Sequence, residues 1–379
     1  MYENILFFII IIIAAIYTLL ILFFTISWVK IPPYNKKTSP FKTRVSVVIP
    51  VRNESSGIIR CLQSIASQDY PADLFEIIIC DDSSTDDTVF LIKKHIHTQT
   101  KHQIKLLELS LNKLIFKKQA ITEAVSAASG ELIITTDGDC ITNTKWISSI
   151  VSFYEEKKCV LIAGPVLFNN EKGKFNRLQS LEFMSLVASG LGSVSGNFPV
   201  MCNGANLAYT RDAFTEAGGY ISNTRYASGD DIFLLFKIKK LYPRKIGVLK
   251  SADAIVYTRS EKSLKNFLSQ RMRWVSKSRG YRSFPALFTS VIVFLANFLI
   301  LSGGILSFFS NMIFTAFIVL SAAKCIVDLP ILISITGFAK RRNLLMYYLP
   351  LQVLYIIYVS LIGIAGNFAA NTWKGRKIS

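Results

Sequence analysis

From Ile5 to Val29 the chain runs 25 positions without a charged residue. About 20 apolar residues in a helix, rising 1.5 Å each, cross a hydrocarbon core of about 30 Å. The pattern therefore predicts a transmembrane helix over 5–29. A secretory signal peptide is the competing reading and fits poorly: the apolar run is too long, Glu3 precedes it in place of a Lys or Arg, and no small-residue cleavage site follows. A second apolar block, Phe284 to Asn371, is divided at Ser310-Asn311 and at Lys340-Arg341-Arg342-Asn343, which predicts spans near 286–309, 312–338 and 344–367. Lys324 and Asp328 stand at i, i+4 inside the middle span, where they can pair on one helical face. Ionisable residues within a span default to a functional reading, and a structural pair is the equal alternative.

Between Thr43 and Asp253 the pattern changes. Runs of strand length rich in β-branched residues, Arg44–Val51, Phe75–Cys80, Ile104–Leu109 and Glu131–Thr136, alternate with helical periodicity at Ser55–Gln68, Asp86–His95 and Lys117–Ser129. Such alternation predicts βαβ units around a buried, doubly wound, largely parallel sheet. Ligands of these sheets bind beyond the carboxyl ends of the strands. Polar and acidic residues gather at three of the four ends: Arg52-Asn53-Glu54, Asp81-Asp82-Ser83-Ser84 and Asp137-Gly138-Asp139. Phe175–Ser195 mixes apolar residues with Gly and Ser and reads as an interfacial helix and loop, a buried core helix being the alternative.

Composition narrows the class. Of 379 residues 51% are apolar and 18% charged, against about a quarter charged in soluble domains. Intrinsic disorder is excluded by this hydrophobicity. Six scattered Cys with no C-x-x-C pair exclude a disulfide framework and suit reduced cytosolic thiols. The three His have no Cys or acid at zinc-ligand spacing. Net charge is +18, and Lys30, Lys36, Lys37, Lys42 and Arg44 follow the first span while nothing basic precedes it. The positive-inside bias then puts the sheet domain in the cytosol. Three spans starting inside leave Lys374, Arg376 and Lys377 outside, against the same bias, and a re-entrant pair is the alternative. The basic surplus attracts anionic lipid and anionic substrate; no nucleic-acid-binding motif accompanies it.

Two carboxylates flanking a Gly at a strand end, Asp137 and Asp139, can approach one hard cation, Mg²⁺ or Mn²⁺, shared with substrate phosphates. As a bare tripeptide this is equally a turn. Asp81 and Asp82 can face the same crevice while Ser84 or Thr85 caps the next helix. In Ser228-Gly229-Asp230-Asp231 one carboxylate is a candidate general base for an acceptor hydroxyl, or the acids simply favour a helix N-terminus. Gln270-Arg271-Met272-Arg273-Trp274 is either an interfacial amphipathic helix or a site in which Arg273 neutralises a diphosphate and Trp274 forms an apolar platform.

Taken in order, VSVVIPVRNES, CDDSSTDDT, TTDGDC, CNGANLAYTRDAF, SGDDIFLL and QRMRWVSKS resemble membrane-bound glycosyltransferases of family 2, over roughly residues 43–280. The resemblance implies a cytosolic α/β GT-A (Rossmann-like) domain over 43–260, an interfacial helix at 261–285 and C-terminal transmembrane helices at 286–370. It implies an inverting, Mg²⁺- or Mn²⁺-dependent transfer from a nucleotide-diphosphate sugar, most often UDP-linked, to a lipid or glycan acceptor at the cytosolic face of the cell membrane. Carried over, Asp82 with Asp81 holds the uracil base, Asp139 binds the metal, and Asp137 lies near the sugar and ribose. Asp231, next to Asp230, is the base; Pro50, Arg52 and Glu54 line the nucleotide pocket; Gln270, Arg273 and Trp274 close over the diphosphate and the acceptor end. Phe116-Lys117-Lys118 stands where members often have Gly-Lys, so Lys117 is a nucleotide-sugar contact of open role. Trp373-Lys374-Gly375-Arg376 looks like the W-R-G-R ending of ceramide-glucosyltransferase-like and hopanoid-modifying members, which favours a lipid acceptor and a cytosolic tail. The alternatives are a processive polysaccharide synthase, favoured by Q-R-x-R-W, and a nucleotide-sensing membrane transporter.

Overall fold

The computed structural model describes residues 2–36, 40–98, 102–109, 117–169, 171–220, 229–276, 280, 283–365, 371–373 and 376–378. Lys37, Phe116, Ser228, Lys374 and Gly375, singled out above, lie outside the described residues. In chain order come α1 (Tyr2–Lys30), β1 (Val45–Val51), α2 (Ile58–Ala66), β2 (Phe75–Asp81), α3 (Thr88–Thr98), β3 (Gln103–Glu108), α4 (Lys117–Ser126), β4 (Leu132–Thr135) and β5 (Ile141–Thr142). There follow α5 (Trp146–Lys157), β6 (Leu161–Ala163), β7 (Val166–Phe168), α6 (Lys174–Ser195), β8 (Leu207–Thr210), α7 (Arg211–Glu216), α8 (Asp230–Leu241), β9 (Ile246–Val248) and β10 (Val256–Thr258). Then come α9 (Leu264–Ser276), α10 (Phe284–Leu306), α11 (Asn311–Phe338), α12 (Tyr348–Ala365), and β11 (Asn371–Trp373) paired with β12 (Arg376–Ile378). The chain forms two compact units, Pro32–Asn169 with Met201–Arg259 and Thr372–Ser379, and Met1–Ile31 with Asn170–Val200 and Ser260–Asn371.

The first unit is built on a seven-stranded sheet of order β3-β2-β1-β4-β8-β6-β9. β1 runs parallel to β2 and β4, β2 to β3, and β6 to β9, while β8 is antiparallel to both neighbours. Every residue of β1 and β2 is buried, as expected where helices cover both faces of a parallel sheet. That is why these segments read as largely apolar runs. α2 buries Ile58, Cys61, Leu62 and Ile65, an i, i+3, i+4, i+7 stripe. The register Val51↔Asp81 and Val48↔Thr135 brings the carboxyl ends of β1, β2 and β4 to one edge. A small sheet, β5-β10-β7, brings Thr258 to that edge as well.

At the opposite end of β2, Glu76 is 3% exposed. Its Oε1 accepts from Ser46 Oγ, Ser129 N and Ser129 Oγ, each at 2.7 Å, and Lys105 Nζ lies 2.8 Å from Oε2. Burial pushes this carboxyl up, but Lys105, Ser129 and Ser46 outweigh it and hold it down at about 2. An unfolded Glu titrates near 4.3, so the unfolded chain takes the proton first. The stabilisation is complete above about pH 5 and is lost as pH falls towards 2, by up to about 3 kcal/mol. Melting temperatures from pH 6 to 3 should fall less steeply in Glu76→Gln than in wild type; parallel slopes would show that Glu76 does not carry the acid sensitivity.

The second unit contains four helices long and apolar enough to cross a membrane: Asn4–Lys30, Phe284–Leu306, Asn311–Phe338 and Arg342–Ala365. Ile10 and Ala14 of α1, Ile300 of α10, and Ala316 and Leu320 of α11 form one buried cluster. α6 belongs to this unit although it lies within the 43–260 stretch expected to form the sheet domain. The reason is its small residues. A Cβ on Gly192 would stand 2.5 Å from the Phe24 carbonyl oxygen, and one on Gly196 would stand 2.6 Å from the Phe23 ring. This G-x-x-x-G spacing lets the backbones of α6 and α1 approach closely.

Lys324 and Asp328 pair as the i, i+4 spacing predicted, at 2.5 Å. Lys324 Nζ also donates to Gln352 Oε1 (2.8 Å), and Tyr17 Oη donates to Asp328 Oδ1 (2.8 Å). The pair thus ties together α1, α11 and α12, which supports the structural reading over a functional one. Breaking a buried pair from one side leaves an uncompensated charge and costs about 3–5 kcal/mol. Lys324→Met should therefore lower the melting temperature in detergent sharply, and adding Asp328→Leu should restore most of it. A single variant that melts like wild type would refute this role.

Candidate active site

The loops after β1 and β2 are laced together. Arg52 Nη1 donates to the Asp82 and Ser83 carbonyls, the latter at 2.9 Å. Asn53 N donates to Ser84 Oγ (2.9 Å), Thr85 N to Asn53 Oδ1 (2.8 Å), and Glu54 N to Thr88 Oγ1 (2.8 Å). Asn53 and Ser83 adopt left-handed backbone angles, φ 52° and 54°, an uncommon conformation that Asn tolerates best. Asp81 accepts from Ser84 N (2.9 Å) and Ser84 Oγ (2.5 Å), closing the turn. Asp81 and Asp82 are nearly fully buried. Arg52 and Asp81 thus shape the loop, while Pro50 lies within the buried run of β1, one residue before its end.

After β4, Asp137, Gly138 and Asp139 form a turn closed by Cys140 N donating to the Asp137 carbonyl at 3.0 Å. Gly57, just before α2, packs on this turn: a Cβ there would lie 3.0 Å from Asp139 Cα and 3.3 Å from the Gly138 oxygen. Asp139 Oδ2 accepts from Thr258 Oγ1 at 3.2 Å. Asp137 Oδ1 lies 2.6 Å from Lys117 Nζ, whose other partner is Asp230 Oδ2 at 3.5 Å. Burial disfavours the Lys117 ammonium, but Asp137 and Asp230, with Asp231 behind them, outweigh it and raise its pKa well above the ordinary lysine range. Lys117 is a permanent cation between two acidic segments.

Asp230 and Asp231 open α8. Asp231 Oδ2 accepts from Gly204 N (3.1 Å) and Oδ1 from Ile232 N (2.8 Å). Asp230 is buried against Lys117, whereas Asp231 is partly exposed. The structure therefore gathers Pro50, Arg52, Glu54, Asp81, Asp82, Lys117, Asp137, Asp139, Asp230 and Asp231 within the sheet unit. Gln270, Arg273 and Trp274 stand on α9 of the other unit. The motif reading missed Gly204 and Thr258. Gly204 lies in CNGANLAYT and Thr258 at the end of a strand that the apolar pattern did not mark.

The donor set suits a hard cation. Asp137 and Asp139 offer carboxylate oxygens, and among the described residues no group of three His, Cys, Asp or Glu forms a complete cage. Such a set fits Mg²⁺ or Mn²⁺, which take one or two carboxylates and complete their shell with phosphate oxygens and water. Asp137 Oδ1 is engaged by Lys117 and Asp139 Oδ2 by Thr258.

Residues 46–218 match the family model described as glycosyl transferase family 2. A dolichyl N-acetyl-alpha-D-glucosaminyl phosphate 3-beta-D-2,3-diacetamido-2,3-dideoxy-beta-D-glucuronosyltransferase of Methanococcus voltae is 23% identical over 284 residues, 68% of this chain and 82% of that protein. An N-acetylglucosaminyltransferase of Azorhizobium caulinodans is 27% identical over 248 residues, 62% of this chain and 59% of that protein. Among solved structures, a mannosyltransferase of Pyrobaculum calidifontis, in complex with GDP-Man and Mn²⁺, matches with a TM-score of 0.60 at 18% identity, covering 95% of this chain and 99% of that one. At that identity the likeness speaks for the fold.

Proposed function

We propose that this chain, whose residues 46–218 match glycosyl transferase family 2 and whose fold is of the GT-A type, carries out an inverting transfer of a sugar from a nucleotide-diphosphate donor, UDP-linked, to a lipid acceptor. The observation that carries the reading is the meeting of the Asp137-Gly138-Asp139 turn with Asp230-Asp231 around the half-buried Lys117 ammonium. In this mechanism Asp231, aimed by the Gly204 and Ile232 N–H groups, takes the proton of the acceptor hydroxyl. The acceptor oxygen forms its bond to the anomeric carbon as the bond to the diphosphate breaks, from the opposite face, so the configuration inverts. Lys117 holds Asp137 and Asp230 in place from between them. Asp139, with Asp137, would hold a Mg²⁺ or Mn²⁺ ion, which would supply electrophilic stabilisation to the departing diphosphate. Asp82 and Asp81 are assigned to the base, Pro50, Arg52 and Glu54 to the nucleotide pocket, and Gln270, Arg273 and Trp274 to the diphosphate and acceptor end. These assignments rest on the motif resemblance.

A lipid acceptor is preferred to a growing polysaccharide because four helices can enter a membrane, and the M. voltae relative is named for a dolichyl phosphate-linked acceptor. The test is incubation of purified enzyme and a membrane lipid extract with a panel of UDP- and GDP-sugars, with products read by mass spectrometry. A lipid heavier by one sugar, with nucleoside diphosphate released, is expected. A long polymer would favour the processive alternative, and no transfer from any donor would refute the reading.

The cytosolic orientation rests on the five basic residues after the first span. A cysteine replacing the exposed Thr98 at the end of α3 should resist an impermeant maleimide in intact cells. Efficient labelling from outside would overturn both the orientation and the nucleotide-sugar donor.

A further inference from the structure

Arg271 sits inside the Q-R-x-R-W run without any of the roles assigned to that run. It is 4% exposed, and Glu182 of α6 is 1% exposed. The Arg271 guanidinium donates to both carboxylate oxygens of Glu182, through Nη2 and through Nε (3.2 Å). Glu182 also accepts from the Tyr358 hydroxyl of α12 at 2.6 Å. The remaining arm, Nη1, donates to Gln270 Oε1 at 2.6 Å. The guanidinium carbon lies 4.2 Å from the centre of the Trp274 ring and 4.5 Å from that of Phe267. One buried cation is thus held from α6 and α12, and it holds in turn the side chains on either side of it in the motif.

Stability alone does not call for this arrangement. Desolvating a charge pair opposes folding, and apolar residues of similar volume often replace one without loss. A guanidinium, however, has a rigid donor fork and a flat stacking face together, which an ammonium lacks. We propose that Arg271, gripped by Glu182, is a positioning residue for sugar transfer. It fixes the Gln270 amide and the Trp274 ring in the orientation in which they meet the diphosphate and the acceptor. This inference rests on the family 2 reading above.

The test is steady-state transfer by full-length Arg271→Lys, alone and combined with Gln270→Ala plus Trp274→Ala, with melting temperatures recorded beside it. Arg271→Lys keeps the charge opposite Glu182, so the melting temperature should stay within a few degrees of wild type. Turnover should fall, or acceptor KM rise, by about tenfold, the scale of one charge-assisted bond. In the double-alanine background the same change should alter the residual rate less than about twofold, because residues acting in one chain are not additive. A merely structural arginine would instead lower the melting temperature and multiply its effect in both backgrounds. Wild-type kinetics in Arg271→Lys, or full multiplication, overturns the inference. If Arg271→Lys does not fold, Glu182→Asp, which keeps the charge and withdraws it by one methylene, is put through the same comparison and the same criteria. A wild-type enzyme that transfers no sugar from any nucleotide donor overturns the family reading and this inference with it. An active wild type with an unaffected variant overturns this inference alone.

Discussion

Asp231→Asn should lower transfer by about 10²- to 10⁴-fold, the usual worth of a general base, while nucleotide binding stays near wild type. The base acts only as the acceptor attacks, and the Asn carbonyl oxygen can still accept one of the two N–H bonds that aim this side chain. Asp230→Asn is a contrasting control. It withdraws a carboxylate from Lys117, so it should disturb Asp137 and the donor as well as turnover. Arg273→Ala gives the opposite pattern if that residue holds the diphosphate. UDP affinity should drop by about tenfold or more, the scale of a hydrogen bond to a charged group. Calorimetric UDP binding measured beside turnover separates the cases. Near-normal turnover in Asp231→Asn sinks the base assignment, and wild-type UDP affinity in Arg273→Ala sinks the diphosphate one.

Removing the divalent cation should cost about 10²-fold or more in turnover, comparable to losing a preorganised electrostatic stabiliser of the leaving charge. EDTA should abolish most activity of the wild type, and Mg²⁺ or Mn²⁺ should restore it. Asp139→Ala should be inactive under both conditions. A direct readout is Mn²⁺ titration followed by electron paramagnetic resonance in the presence of UDP, where Asp139→Ala should leave the ion free in solution. Asp137→Asn is expected to weaken Mn²⁺ binding less, because Asp137 Oδ1 is already shared with Lys117. Full activity of Asp139→Ala in EDTA would remove the metal from the mechanism.

Much of this architecture was legible along the chain. β1, β2 and β4 appear within one or two residues of the apolar runs that announced them, because strands buried on both faces are largely apolar. The long helices were equally plain, since no other structure satisfies the backbone of so long an apolar segment in hydrocarbon. Acidic residues at the strand ends followed from the rule that such sheets bind ligands there. α6 was harder: its Gly and Ser residues blur hydrophobic periodicity, and only the close approach of Gly192 to the Phe24 carbonyl explains them.

Sequence by itself determined the apolar spans, the parallel core and the identity of the acidic groups, because each is a local matter of burial, periodicity or motif. Tertiary structure alone decided how those groups are used. Lys117, of open role in its own motif, became the cation between Asp137 and Asp230. Arg52 turned inward to hold the loop after β2, and Arg271 paired with Glu182, which comes from a helix far earlier in the chain. These pairings join residues remote in sequence. A charge can show that it needs a partner, but which partner it meets depends on strand order and helix packing, and no local pattern contains them.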